Sequence, residues 1–210
     1  LFSSHRVCVN MSYIKEVFDP VNFEHAKNIA LSPDSREQYK FENETDFFVN
    51  FIRTQNIITS DSLVLDFGCG MGRISKKLIE VFGCRVIGTD ISQSMLRFAQ
   101  QYVNNPDKFE TKPHHDICDI DVIIASLVLQ HVQNPELEIR NLFSILKPKG
   151  RVVLLNESKR FVPAGVDKNG FVIWNDDGVV INDVMNKHFK NVGFYKYRNR
   201  TDTPLSVWRK

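Results

Sequence analysis

The chain has 210 residues, 42% of them hydrophobic and 25% charged, with a formal net charge of +2. That is ordinary globular composition, more than the ~100–150 residues of a typical domain but short of two, and it argues against a disordered or fibrous chain. So small a charge also argues against a dedicated nucleic-acid binder, which concentrates many Lys and Arg on one face, and favours small-molecule chemistry.

Cys8, Cys69, Cys84 and Cys118 sit at long irregular spacings with no C-x-x-C pair. Neither a zinc module nor a disulfide framework is indicated, and reduced thiols in a cytoplasm fit best. No apolar run approaches the ~18 residues needed to span a bilayer, and residues 1–10 lack a charged-then-apolar export signal. The expectation is a soluble, cytoplasmic protein that does not engage a membrane. Residues 1–10 precede Met11 and are set aside as upstream tail, 11–60 are read as an N-terminal helical cap, and 61–210 as the main domain.

From Asp34 to Thr54, apolar residues recur at helical spacing, notably Phe47, Phe48, Phe51 and Ile52. The helix leads into a strand, Ser62 to Gly68, and a glycine cluster follows. A second helix carries Ile74, Leu78, Ile79 and Phe82 on one face and ends at Gly83. Arg85 to Asp90 is the next strand, and Ser92 is positioned to cap a helix burying Met95, Leu96, Ala99 and Val103. Asp121 to Leu129 is almost continuously apolar, as a central parallel strand covered on both faces requires. A helix near Pro135 to Leu146, a turn at Pro148 and Gly150, and a strand from Arg151 to Asn156 complete the alternation. Strands and helices in this rhythm predict a doubly wound α/β fold with a mostly parallel sheet.

Beyond Glu157 the chain is rich in Gly, Asp and Asn, and residues 157–180 are read as a long excursion on the substrate side. A short helix around Ile181 to Phe189 then precedes two β-rich runs, separated at Thr201 to Thr203, that suggest a C-terminal antiparallel hairpin.

The chemistry concentrates in VLDFGCGMGRIS, where Gly68, Cys69, Gly70 and Gly72 make the turn between strand and helix. Glycine allows tight backbone geometry and ligand approach without a Cβ, and the helix N-terminus offers free N–H groups to an anionic group. Asp90 lies 18 residues after Gly72 at the end of the second strand, where a carboxylate can accept hydrogen bonds from ribose hydroxyls. Together these predict a nucleoside cofactor.

DFGCGMGR, GTDIS, DVIIASLVLQHV and LKPKGRVVLL, in that order and separation, resemble the class I S-adenosylmethionine-dependent methyltransferases over about Phe41 to Asn156. The resemblance implies a seven-stranded Rossmann-like sheet whose last strand is antiparallel, S-adenosylmethionine as cofactor, S-adenosylhomocysteine as product, and direct in-line methyl transfer to a small-molecule acceptor. By position it implies that Asp66 orients the glycine loop or reaches the methionine amino group, and that backbone at Gly68 and Gly70 passes beneath the cofactor. Asp90 would hold the ribose diol, Ile91 and Met95 would line the adenine, Asp116 and Ile117 would contact its edge and face, and Ser126 and Leu127 would approach the methionine portion. The stretch DICDIDVII is shorter than the family's usual link into the fourth strand, so Asp119 stands as an alternative to Asp116.

Blander readings stand beside these. Asp66 can cap the following helix, Gly68 and Gly72 can serve packing alone, and Asp90 can answer a helix dipole. His131 is a candidate general base, or a histidine that hydrogen-bonds backbone. Adjacent His114 and His115 would point to opposite faces of a strand, so no metal site is expected. Tyr39 and Arg36 can close over the cofactor or lie on a helix surface; Trp174 and Phe171 can wall the acceptor site or bury a loop. The basic tail, including Lys187, Lys190, Lys196 and Arg209, reads as a solvated edge, and no N-P-P-Y string follows the fourth strand, which disfavours base methylation. Two other functions remain: a domain that binds the cofactor without catalysis, and an NAD-dependent oxidoreductase. Monomer and homodimer are both open.

Overall fold

The computed structural model describes residues 13–30, 38–113, 116–197 and 200–210. Successive strand residues point to opposite faces, and because both are apolar here, each strand must be covered on both sides. Five parallel strands obey this: β1 (Leu63–Phe67), β2 (Arg85–Thr89), β3 (Phe109–Thr111), β4 (Ile120–Ser126) and β5 (Leu146–Leu155). Val64, Val86, Val122 and Ile124 pack to one side, and Leu65, Ile87, Ile123 and Ala125 to the other.

On the first side lie α2 (Gln38–Thr54), α3 (Arg73–Phe82) and α4 (Gln93–Val103), through Phe48, Leu78 and Ala99 among others. On the second lie α5 (Pro135–Ile145) and α6 (Ile181–Asn186), through Ile139, Leu142 and Met185. The strand order β3-β2-β1-β4-β5 is extended by the terminal pair β8 (Lys190–Tyr197) and β9 (Arg200–Arg209), with β9 inserted between β5 and β8 and antiparallel to both. The sheet thus has seven strands and the expected antiparallel hairpin. Because β9 starts at Arg200, Thr201 to Thr203 belong to the strand rather than to the turn.

The helix boundaries follow local chemistry. Ser92 accepts from the Met95 N–H at 3.1 Å to cap α4, Asn134 accepts from Leu137 N–H at 3.0 Å to cap α5, and Gly83 ends α3 at a φ of 67°. The excursion after Glu157 is ordered: β6 (Lys159–Val166) and β7 (Val172–Val180) form a separate two-stranded antiparallel sheet. Its irregular register around Pro163 hides the pairing from a simple alternation pattern.

The order reverses between β1 and β4, so the carboxyl ends of these strands open a crevice at a switch point. A 3-10 turn (Lys15–Phe18) and α1 (Phe23–Ala30) lie against that end, and the hairpin β6–β7 flanks it. Among the described residues no helix is long and apolar enough to cross a membrane. Cys69, Cys84 and Cys118 are free thiols; Cys8 and the residues 1–10 lie outside the described residues, as do Arg36, His114 and His115.

Candidate active site

A cavity of about 890 Å³ occupies the crevice, toward the upper end of the ~300–1,000 Å³ usual for small-molecule sites. Its floor is the turn from β1 into α3. Gly70 adopts a φ of 53°, and a Cβ there would have only the Ala30 methyl within reach, at 3.9 Å, so it would project into the cavity. Gly68 also faces the cavity, but it is glycine for a second reason: a Cβ would collide with Val128 Cγ2 at 2.3 Å, where the chain leaves β4.

Two buried carboxylates flank this loop. Asp66, 1% exposed at the end of β1, accepts from Ser75 Oγ at 2.6 Å; burial pushes its carboxyl up to about 6, with the Ser75 bond and Arg73 opposing. Asp90, just past β2, uses one oxygen for the Gly70 N–H and the other for the Ser92 N–H, each at 2.9 Å. Burial raises it as well, and those N–H donors pull the other way. Asp90 therefore ties the glycine loop to the start of α4, and each of its oxygens keeps acceptor capacity for a further donor. Cys69 is buried here, its thiol held well above the ordinary value by burial and then by Asp66 and Asp90, which leaves it protonated and unreactive.

The opposite wall begins at the end of β4. Ser126 and Leu127 line the cavity; Leu127 adopts a φ of 56°, with its N–H donating to Leu155 O at 2.6 Å. A branched side chain in that conformation costs on the order of 1–3 kcal/mol, held here by the strand pairing beneath it. Ile91 and Met95 line the cavity from the start of α4.

Beyond this wall His131 joins the hairpin to the core. Its Nδ1 lies 2.7 Å from Phe161 O, so Nδ1 carries the proton and Nε2 is left to accept from the Gln130 amide at 3.2 Å. Gln130 is oriented by Glu157 N–H, which donates to its Oε1 at 2.7 Å. Burial lowers the imidazole below its ordinary 6.5, partly offset by the Phe161 bond, so the ring is neutral at pH 7. His131 packs against Trp174 and Phe18 with ring centroids 4.7 and 5.7 Å away, and Tyr13 OH donates to His131 O at 2.8 Å.

Ten of the expected residues thus meet at one cavity: Asp66, Gly68, Cys69, Gly70, Asp90, Ile91, Met95, Ser126, Leu127 and His131. Three do not line it. Gly72, the N-cap of α3 at a φ of 81°, is required by packing, since a Cβ would meet Val103 Cγ2 at 2.7 Å and Ala99 Cβ at 3.2 Å. Asp116 and Ile117 lie past β3, which ends at Thr111: Asp116 is exposed, and Ile117 packs into the core with Ile87 and Ile120. Asp119 is exposed and does not line the cavity either. Sequence reading missed Tyr13, Phe18 and Gln130, whose partners lie on other elements. The one local signal was an aromatic residue set among polar ones, in KEVFDP.

A family profile described as methyltransferase domain matches residues 34–191. Phosphoethanolamine N-methyltransferase 1 of Zea mays is 30% identical over 159 residues, covering 70% of this chain and 31% of the relative. Ubiquinone biosynthesis O-methyltransferase of Coxiella burnetii is 28% identical over 117 residues, covering 51% and 48%. The chain therefore spans about a third to a half of the length of these curated relatives. Among solved structures, an S-adenosylmethionine-dependent methyltransferase from Mesorhizobium loti aligns with a TM-score of 0.58 at 16% identity, over 81% of this chain and 100% of that one. The N-methyltransferase NodS from Bradyrhizobium japonicum, in complex with S-adenosylhomocysteine, aligns with a TM-score of 0.58 at 16% identity, over 82% and 88%. These structural likenesses speak to the fold. Since the profile match runs from the α2 segment through α6 and carries the strand, glycine turn and carboxylate described above, the chain belongs to the class I S-adenosylmethionine-dependent methyltransferases.

Proposed function

We propose that this chain transfers the methyl group of S-adenosylmethionine to a small-molecule acceptor in the cavity above β1 and β4. The observation that carries the reading is the Gly70 and Asp90 pair: a loop with no Cβ toward the cavity, tied to a buried carboxylate beside it. Asp90 would accept from the ribose hydroxyls, Gly68 and Gly70 would pass beneath the cofactor with Cys69 closing the loop, and Asp66 would face its ammonium. Ile91 and Met95 would cover the base; Ser126 and Leu127 would flank the methionine portion. When bound, the cofactor supplies an activated methyl: the acceptor's nucleophile bonds to that carbon as the carbon–sulfur bond breaks, its electron pair staying on sulfur.

The chain's own contribution is alignment and exclusion of water, with α1 and the hairpin β6–β7 walling the acceptor end. Neutral His131 supports a role as proton acceptor through Nε2, once the acceptor displaces the Gln130 amide. The small-molecule acceptor is favoured by the size of the cavity and by relatives whose names specify phosphoethanolamine and ubiquinone biosynthesis.

Parallel calorimetric titration with S-adenosylmethionine, S-adenosylhomocysteine and NAD tests the reading. Both adenosyl ligands are expected to bind and NAD is not; binding of NAD alone would overturn it. A protein that binds the adenosyl ligands but yields no methylated product with any acceptor would be a cofactor-binding domain without catalysis. Asp90→Ala is expected to weaken cofactor affinity at least tenfold, the loss of about one charge-assisted hydrogen bond. Unchanged affinity would remove Asp90 from the ribose site.

A further inference from the structure

The relatives named above divide between nitrogen and oxygen acceptors, and the acceptor end of the cavity separates the two. Resting on the methyltransferase reading, we infer that the acceptor is a small organic amine, docked as its ammonium against the aromatic wall of Phe18 and Trp174, and carrying no phosphate.

Two independent observations support this. The first is the wall. Phe18 and Trp174 lie 6.2 Å apart by ring centroids, both line the cavity, and Trp174 remains 43% exposed, so a ligand can reach its ring. Trp is the strongest partner for a cation among the aromatic side chains, and the attraction grows as the cation is desolvated. Among the described residues, the cation–π pairs formed within the protein use Phe41, Tyr102 and Phe143, none of which belongs to this wall.

The second observation is the charge of the lining. Beyond Asp66 and Asp90, which serve the cofactor, Glu138 and Glu157 contribute carboxylates, while Arg73 is the sole Lys or Arg among the described lining residues. Arg73 NH1 donates to Thr45 Oγ1 at 2.6 Å and its guanidinium lies 5.3 Å from the Phe41 ring centroid, on the α2 side of the glycine loop. Arg160, on the hairpin strand β6, is spent on Val132 O, Gln133 O and Asp177 and does not line the cavity. Among the described lining residues an anionic phosphate or phenolate finds no Lys or Arg at the acceptor end, whereas an ammonium finds the carboxylates of Glu138 and Glu157. The ammonium's proton must leave before nitrogen can attack, and His131, which packs on Trp174, is the neutral acceptor beside it.

The test uses the whole chain saturated with S-adenosylhomocysteine and three probes: choline, its neutral carbon isostere 3,3-dimethylbutan-1-ol, and O-phosphocholine. Binding is read by calorimetry and by tryptophan fluorescence, which isolates the wall because the only other tryptophan, Trp208, is fully buried. Choline is expected to bind about tenfold more tightly than either other probe and to change the Trp174 emission. Trp174→Leu is expected to abolish the preference for choline over the isostere while leaving S-adenosylhomocysteine affinity unchanged. Equal binding of choline and the isostere, tighter binding of phosphocholine, or no binding of choline would each overturn the amine assignment. Loss of S-adenosylhomocysteine binding by the unmodified chain would instead overturn the methyltransferase reading beneath it.

Discussion

A methyl group added at Gly68, Gly70 or Gly72 meets three different surroundings: Val128 Cγ2 at 2.3 Å, open cavity with Ala30 at 3.9 Å, and Val103 Cγ2 at 2.7 Å. All three have positive φ, so each alanine variant carries a strain of about 1 kcal/mol or more, but only the surroundings decide what else is lost. Gly72→Ala is expected to cost a further ~1–3 kcal/mol by forcing α3 off α4, seen as a lower urea midpoint, with cofactor affinity of the folded protein little changed. Gly70→Ala is expected to show the reverse: a small stability loss and a large affinity loss. Equal effects at both positions would contradict the division. Asp66 separates function from stability in another way. Its carboxyl sits near 6 in the folded protein against an ordinary 3.8, so the folded state holds the proton more tightly than the unfolded. This group favours folding below about pH 4, and its contribution is lost as pH rises through 6, a change of about 3 kcal/mol. The stability of Asp66→Asn relative to the parent should therefore climb by up to that amount between pH 4 and pH 7. A difference independent of pH would show that burial does not hold the carboxyl protonated. In the same variant cofactor affinity should fall, because a neutral amide gives an ammonium no counter-charge.

Elements whose apolar residues recur at the periods of helix or strand were legible before any coordinates: the glycine turn, the caps at Ser92 and Gly83, and the buried run of β4. The hairpin β6–β7 was not, because its strands face solvent on one side, carry Pro163 and Gly165, and slip register twice. Nor was the acceptor wall, since Tyr13 and Phe18 reach His131 across more than a hundred residues, and no local pattern encodes such a contact. Asp116 and Ile117 were placed by analogy with a family whose link into β4 is longer, whereas here Ile117 packs into the core beside Ile87 and Ile120. What fastens the hairpin is Arg160, which is 9% exposed, donates from Nε to Val132 O at 2.7 Å and also bonds Gln133 O and Asp177. Removing it leaves two carbonyls without their donor, while of the anchor's residues only Val132 packs against the main core. Arg160→Ala is expected to raise KM for the acceptor by an order of magnitude or more while cofactor affinity shifts less than twofold, the loss of ~1–3 kcal/mol of charge-assisted bonding being confined to the hairpin. A matching loss of cofactor affinity would mean that the hairpin and the glycine loop move as one unit.

On the scale of the molecule, the cavity is bounded by parts that the sheet alone does not join. The glycine loop and β4 belong to the core, whereas residues 13–30 join it through Tyr13 to His131 and through Phe23, Ala26 and Ile29 packed with Met71 and Met95, and join the hairpin through Ile14 N–H to Pro163 O at 3.1 Å. The core is closed elsewhere: β9 lies between β5 and β8, and Trp208 is fully buried against α5 and α6. A ligand filling the crevice touches all of these pieces and exists only in the folded state, so its binding free energy adds to stability. At a hundred times its dissociation constant, S-adenosylhomocysteine contributes about 2.7 kcal/mol, which for a chain of this length raises Tm by roughly 5–10 °C. NAD at the same concentration is expected to leave Tm unchanged. The pieces should also respond unequally: protection of amide hydrogens from exchange is expected to rise at 13–30 and 66–72, while β9, already closed, changes little. Stabilisation without added protection at 13–30 would show that the cofactor is held by the glycine loop and Asp90 alone, and that the N-terminal segment closes on the acceptor instead.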